Sequence, residues 1–281
     1  MRSSLTISSG RIATLDTGVP AGAISATVAA RALPTVLFVP GYTGSKEDFQ
    51  PLLRPLAAAG YRAMAIDQRG QYESQWAPMP QGYTIDALAA DLVEIAAGLA
   101  EHAERLHLVG HSFGGLVARA AVLSKPDLFD SVTLMSSGPA SIGGLRRELL
   151  DAMDAVYSSG GMEAVWVHME ARAQADPKYR KSPPALLAFL RTRFLANDPL
   201  GLTVMGIELR SAADLTEQLA EVRMPKLVLH GVTDDAWPPS VQATMATRLG
   251  ARHVAIEAAA HSPAVENPDA TLAALHDFWQ H

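Results

Sequence analysis

The stretch Leu106-His107-Leu108-Val109-Gly110-His111-Ser112-Phe113-Gly114-Gly115 places one serine between two glycines, where an apolar run gives way to a helical pattern. Leu106 to Val109 reads as a buried strand. Leu116, Val117, Ala120, Ala121 and Leu123 then recur at helical spacing until Pro126 stops the helix. Ser112 therefore stands at the corner. There its hydroxyl is lifted clear of the sheet, and Gly110 and Gly114 leave no side chain where strand and helix nearly touch. A helix N-cap serine gives the same local pattern. Two glycines around one serine also arise by accident in about one chain in ten of this length, given the usual glycine content. The rest of the chain decides between nucleophile and cap.

The 281 residues are 48% apolar and 19% charged, ample for one buried α/β core with an insertion. A net charge of -6 argues against a nucleic-acid partner, which calls for a basic face. The absence of cysteine removes disulfides, thiolate metal sites and a thiol nucleophile together. Met1 to Gly10 holds one arginine followed by serines and threonine without an apolar core, so no secretory signal is visible and a cytoplasmic location is expected. The alanine-rich stretch from Ile85 to Ala100 is interrupted by Asp86, Asp91 and Glu94, so no membrane span is expected. Oligomeric state leaves no mark in the pattern.

Short apolar runs recur at Thr35 to Val39, Ala63 to Ile66, Leu106 to Val109, Val132 to Met135, Leu227 to Leu229 and His253 to Ile256. Helical patterns separate them: Asp48 to Ala59, Thr84 to His102, Phe113 to Ser124, Pro239 to Leu249 and Pro268 to Trp279. This alternation predicts a mostly parallel sheet covered on both faces. Arg11 to Leu15 and Ile24 to Val28 are expected as a leading antiparallel pair. The rhythm breaks between Pro139 and Glu221, where helical stripes appear without a strand. Leu145, Leu149, Met153 and Val156 make one stripe; Met162, Val165, Trp166 and Met169 a second; Leu186, Leu187, Leu190 and Phe194 a third. Gly143-Gly144, Gly160-Gly161 and Ser182-Pro183-Pro184 punctuate them. The expected organisation is a core of residues 1–138 and 222–281 with a helical lid, 139–221, above the strand ends where ligands bind in parallel sheets.

A serine nucleophile needs a histidine to take its proton and a carboxylate to orient that histidine. Both types lie just past strand ends downstream, in His230-Gly231-Val232-Thr233-Asp234-Asp235-Ala236-Trp237-Pro238 and in Ala260-His261-Ser262-Pro263. Ends of parallel strands share one edge of the sheet, so these loops can converge on Ser112. The chain order Ser, Asp, His matches that of a nucleophile-elbow hydrolase.

On these residues the chain resembles the α/β-hydrolase family, specifically its lid-bearing serine hydrolases of esterase type, over nearly its whole length. Gly110-His111-Ser112-Phe113-Gly114 is similar to the family's nucleophile elbow, Gly231 to Pro238 to its acid loop and His261-Ser262-Pro263 to its histidine loop. Val39-Pro40-Gly41-Tyr42-Thr43-Gly44 resembles the loop that supplies an oxyanion donor, although many members carry histidine where Pro40 stands. Asp67-Gln68-Arg69-Gly70 resembles a loop bordering the pocket. The resemblance implies Ser112, Asp234 and His261 as the catalytic triad, with the backbone N–H groups of Tyr42 and Phe113 as the oxyanion hole. Asp234 is preferred over Asp235 because it lies three residues after Gly231 and four before Pro238. The Tyr42 phenol either reaches the oxyanion or lines the pocket, and packing is preferred.

His111 is expected to pack under the elbow. His107 and His253 belong to strands, and His102 closes a helix. Trp237 is a pocket wall or a structural aromatic. His230, Asp234, Asp235 and His261 lack any compact metal-binding spacing, so neither metal nor cofactor is expected. The leading expectation is hydrolysis of an ester-like carbonyl in a small-molecule acyl substrate. Thioesterases, lactonases, perhydrolases and carbon–carbon bond hydrolases share the triad. A ligand receptor on a hydrolase fold and a scaffold without chemistry are the readings from other classes.

Overall fold

The computed structural model describes residues 1–18, 33–175 and 177–280. Its first half runs β1 (Arg2–Ile7), β2 (Gly10–Asp16), β3 (Leu33–Val39), α1 (Gln50–Ala58), β4 (Arg62–Ile66), α2 (Ile85–Ala100), β5 (Ala103–His111), α3 (Phe113–Ser124) and β6 (Ser131–Met135). Five helices follow: α4 (Gly144–Ala173), α5 (Pro177–Arg180), α6 (Pro184–Leu195), α7 (Pro199–Ser211) and α8 (Thr216–Glu221). The chain then closes with β7 (Lys226–Gly231), α9 (Pro239–Leu249), β8 (Arg252–Ile256), α10 (Pro263–Glu266) and α11 (Pro268–Gln280).

The strands form one sheet in the order β1-β2-β4-β3-β5-β6-β7-β8. β2 pairs antiparallel with β1 and β4, and every neighbour from β4 to β8 is parallel. A parallel sheet must be covered on both faces, and alternate side chains of β3 divide accordingly. Leu37 and Val39 join the layer of α2 and α3, whereas Val36 and Phe38 join the layer of α1 and α11. Because the strands from β3 to β8 run together, the chain leaves β3, β5, β7 and β8 at one edge. The expected nucleophile, acid, base and oxyanion loops all start there.

α3 and α9 begin and end where the sequence pattern predicts. Asp48 to Ala59 instead divides into a 3-10 turn over Lys46–Phe49 and α1, which starts with Pro51 in its first turn, where a missing N–H costs no helical bond. The leading pair is also corrected. Arg11 to Leu15 lies within β2, but the partner is β1, in register from Arg2↔Leu15 to Ile7↔Gly10; Ile24 to Val28 lies outside the described residues. β1 is an edge strand whose exposed positions are arginine, serine and threonine, so it shows little apolar alternation.

α4 to α8 all lie between β6 and β7, which pair directly from Val132↔Lys226 to Met135↔Leu229, so the sheet runs on without interruption. α4 kinks at Gly161, whose φ of 67° and ψ of -163° fit no helix. Val165, Trp166, Phe194 and Leu202 form a small separate core, with Met153, Val156, Met162, Met169 and Leu190 packed against it. Leu145 and Leu186 depart from the expected stripes. They sit exposed in the first turns of α4 and α6. α8 packs instead on α3 and α9.

Candidate active site

Ser112 has φ 55° and ψ -120°, a conformation that costs a non-glycine residue about 1–3 kcal/mol and persists only where neighbours enforce it. Its N–H donates to the Met135 carbonyl at 2.9 Å, and its own carbonyl accepts from Gly115 N at 2.9 Å. A Cβ on Gly110 would lie 2.3 Å from the Gly114 carbonyl oxygen, so strand and helix approach closely only without one. The hydroxyl makes no cap bond to α3. It lies 3.0 Å from Nε2 of His261 instead.

His261 leaves the loop after β8, and Asp234 the loop after β7. His261 Nδ1–H donates to Asp234 Oδ1 at 2.9 Å, which leaves the Nε2 lone pair facing the Ser112 hydroxyl. The buried Asp234 carboxylate also accepts from Ala236 N at 2.9 Å and from Gln242 Nε2 at 2.8 Å. Burial alone would raise its pKa, but the His261 bond and charge, with the donors from Ala236 and Gln242, outweigh it and hold the carboxyl below its ordinary value. The structure thus brings Ser112, His261 and Asp234 into one chain of hydrogen bonds. Asp235 turns outward and pairs with Arg146 of α4 at 2.7 Å.

Supporting residues escaped the sequence reading, either entirely or in their role. Gln242 is wholly buried in α9, holding Asp234 Oδ2 and the Trp237 carbonyl at 2.8 Å each. Its signal was available: a polar residue in line with Met245, Ala246 and Leu249 on the apolar face of a helix. His111 does more than pack, since its Nε2–H donates to the His261 carbonyl at 2.7 Å and its ring lies 5.0 Å from that of His261. Burial, reinforced by the nearby His261, keeps its imidazole well below the ordinary histidine range.

The Pro40 to Gly44 loop lies against the corner; a Cβ on Gly41 would sit 3.1 Å from that of Ser112. Its carbonyls are held from the loop after β4. Gln68 Nε2 donates to Pro40 O at 3.0 Å, and Gln71 Nε2 to Gly41 O at 2.7 Å and Tyr42 O at 3.1 Å. The Tyr42 phenol donates to Leu202 O of α7 at 2.8 Å, which places it in the packing between core and insertion. Phe113, fully buried, is the first residue of α3, whose N-terminus carries the positive end of the helix dipole.

A charge cluster anchors the same loops from below. The buried Lys46 Nζ lies 2.7 Å from both Asp67 Oδ2 and Glu73 Oε2, and 3.1 Å from Glu47 Oε1. Burial opposes the ammonium ion, but these carboxylates outweigh it and raise its pKa. Asp67 is the deepest carboxyl, and burial pushes it up to about 6 despite Lys46. Glu73 is more exposed; Lys46 and two arginines overcome the smaller burial effect and lower it.

A cleft of about 720 Å³ opens over Ser112 and His261, walled by the Gly41 to Gly44 segment, α4, α6 and the acid and histidine loops. Trp237 is structural: its indole packs on Gly138 and its Nε1–H donates to Ala140 O at 3.2 Å. Among the described residues, no group of three or more His, Cys, Asp or Glu is placed to hold a metal ion, and no helix is long and apolar enough to cross a membrane.

A family model described as the alpha/beta hydrolase fold matches residues 34–268. A provisionally named carbamate hydrolase, RutD, of Pantoea ananatis is 27% identical over 248 residues, covering 88% of each chain. A pimeloyl-[acyl-carrier protein] methyl ester esterase of Aliivibrio salmonicida is 26% identical over 239 residues, covering 83% of this chain and 87% of its own. Among solved structures, the enol-lactonase from Burkholderia xenovorans LB400 superposes with a TM-score of 0.78 at 23% identity, covering 99% of this chain and 100% of that one, a likeness of fold.

Proposed function

The chain belongs to the alpha/beta hydrolase fold family and is a hydrolase, and from that premise we propose that it cleaves carboxylic esters through a Ser112-His261-Asp234 triad. Ser112 Oγ attacks the ester carbonyl carbon while His261 Nε2 takes its proton. The imidazolium so formed is stabilised by the Asp234 carboxylate. The oxyanion is met by the backbone N–H groups of Phe113 and Tyr42 at the positive end of α3, each such donor contributing about 3 kcal/mol to the transition state. As the intermediate collapses, the carbon–oxygen bond breaks and His261 returns the proton to the departing alcohol. Water, deprotonated by His261, then attacks the acyl-enzyme; the acid leaves and Ser112 regains its proton.

The observation that carries this reading is the pair of hydrogen bonds at 3.0 and 2.9 Å linking Ser112 through His261 to Asp234 at the floor of the cleft. Residues 139–221 act as the lid over a small-molecule acyl substrate, in keeping with Ile142, Leu149 and Met153 on the cleft wall. The test is a panel of esters, thioesters and lactones of graded chain length, run with wild type and Ser112→Ala. Turnover of an ester that vanishes in a folded Ser112→Ala protein is expected. Equal turnover by the variant would overturn the assignment.

A further inference from the structure

The charged side chains around the cleft are not evenly satisfied. Asp48 accepts from Arg193 Nη1 at 2.5 Å, and Asp235 holds Arg146 through two hydrogen bonds at 2.7 and 3.1 Å. Glu266 is engaged by the backbone N–H groups of Ala260 and Ser262 at 2.7 and 3.0 Å, beside the catalytic histidine. These three carboxylates are thus committed. The side chain of Arg172, the third arginine on the cleft wall and an exposed one, makes no ion pair or hydrogen bond among the described residues. His168 lies one turn earlier on the same face of α4 and also borders the cleft.

The two groups stand beyond the Gly161 kink, and the wall also presents apolar surface from Leu149, Leu150, Met153 and Met169. The cleft therefore combines a nucleophile, an apolar wall and a cation without a protein counter-ion. A guanidinium presents paired N–H donors that match the two oxygens of a carboxylate. On a chain of net charge -6, a local cation is also what an anionic substrate requires in order to dwell in the site.

We propose that Arg172, assisted by His168, binds a carboxylate at the far end of the substrate's acyl chain, so that the preferred substrates are half-esters of dicarboxylic acids. One guanidinium matches one unit of negative charge, and the apolar wall accommodates the methylenes between carboxylate and ester. This rests on the ester-hydrolase reading and names the substrate class for that site.

The experiment compares kcat/KM for monomethyl and dimethyl esters of succinate, glutarate, adipate and suberate, using wild type, Arg172→Gln, Arg172→Lys and Ser112→Ala. Wild type is expected to favour the half-ester over the diester at one chain length. Arg172→Gln should lower that ratio about 10- to 100-fold, chiefly through KM, as expected for a lost charge-assisted pair. Arg172→Lys should recover part of it, because charge survives without the fork. Equal use of half-ester and diester by wild type, or a ratio unmoved in Arg172→Gln, would overturn the proposal. Diester hydrolysis by wild type and its loss in Ser112→Ala report on the underlying reading separately.

Discussion

Replacing Asp234 by asparagine keeps the shape of the acid and removes its charge, so the cost follows from the contacts. In one arrangement the new carbonyl takes the Oδ1 place, still accepting from His261 Nδ1 at 2.9 Å and Ala236 N at 2.9 Å. The amide NH2 then faces the Gln242 donor that now lies 2.8 Å from Oδ2. If Gln242 turns its amide to accept, the Trp237 carbonyl loses a donor. The imidazolium also forms without its counter-charge, a loss of about 4 kcal/mol for charges 4 Å apart at an effective dielectric of 20. That is roughly a thousandfold in rate. In the other arrangement the NH2 faces Nδ1 and forces the proton onto Nε2, where it blocks acceptance from Ser112. Together these effects lead to a loss of about 10⁴ in kcat with little change in KM, as in the general triad template. Steady-state hydrolysis of a neutral p-nitrophenyl ester measures it, with Asp235→Asn as control. Asp235 is exposed and makes only a partly exposed ion pair, so its variant should stay within about threefold. A loss below tenfold in Asp234→Asn, or a larger loss in Asp235→Asn, would refute the reasoning.

Gln242→Leu preserves the volume of a wholly buried side chain but removes a charge-assisted donor to Asp234, so kcat should fall about 10- to 100-fold with KM retained; an unchanged kcat in steady-state assays would mean that Gln242 serves only the fold. Lys46→Met leaves Asp67 and Glu73 without their shared cation and should cost about 3–5 kcal/mol, read as a lower midpoint in urea unfolding. The pH dependence follows from Asp67, whose folded pKa near 6 exceeds the unfolded value of about 4. The native state then binds the extra proton between these values, so this carboxyl's contribution to stability falls as pH rises from about 4 to about 6. Losing the cation raises the carboxyl further, above 6, so the Lys46→Met deficit should shrink as pH falls toward 6, where the variant's carboxyl is already protonated, and level off below it. A deficit that grows there would contradict the burial argument.

The parallel core was legible because its central strands are buried on both faces and its helices are bounded by glycine and proline. Phe113–Ser124 and Pro239–Leu249 emerged at their observed ends. The juxtaposition of Ser112, Asp234 and His261 was legible for the same reason, since strand ends of a parallel sheet meet at one edge whatever their separation in sequence. β1 was not, because an edge strand with an exposed face need not carry an apolar alternation. His111, Gln68 and Gln71 were hidden differently: each acts by bonding a backbone carbonyl of another loop, and such a contact has no spacing in one chain. The exposed Leu145 and Leu186 show the limit of reading stripes in short inserted helices, whose first turns extend past the surface they cover.

The most direct test of the triad is to treat the protein with a fluorophosphonate and locate the adduct by peptide mass spectrometry. One adduct per chain is expected, on Ser112, absent from Ser112→Ala and formed far more slowly in His261→Ala. An unlabelled Ser112 in the folded wild type, or stoichiometric labelling at another residue, would contradict the account.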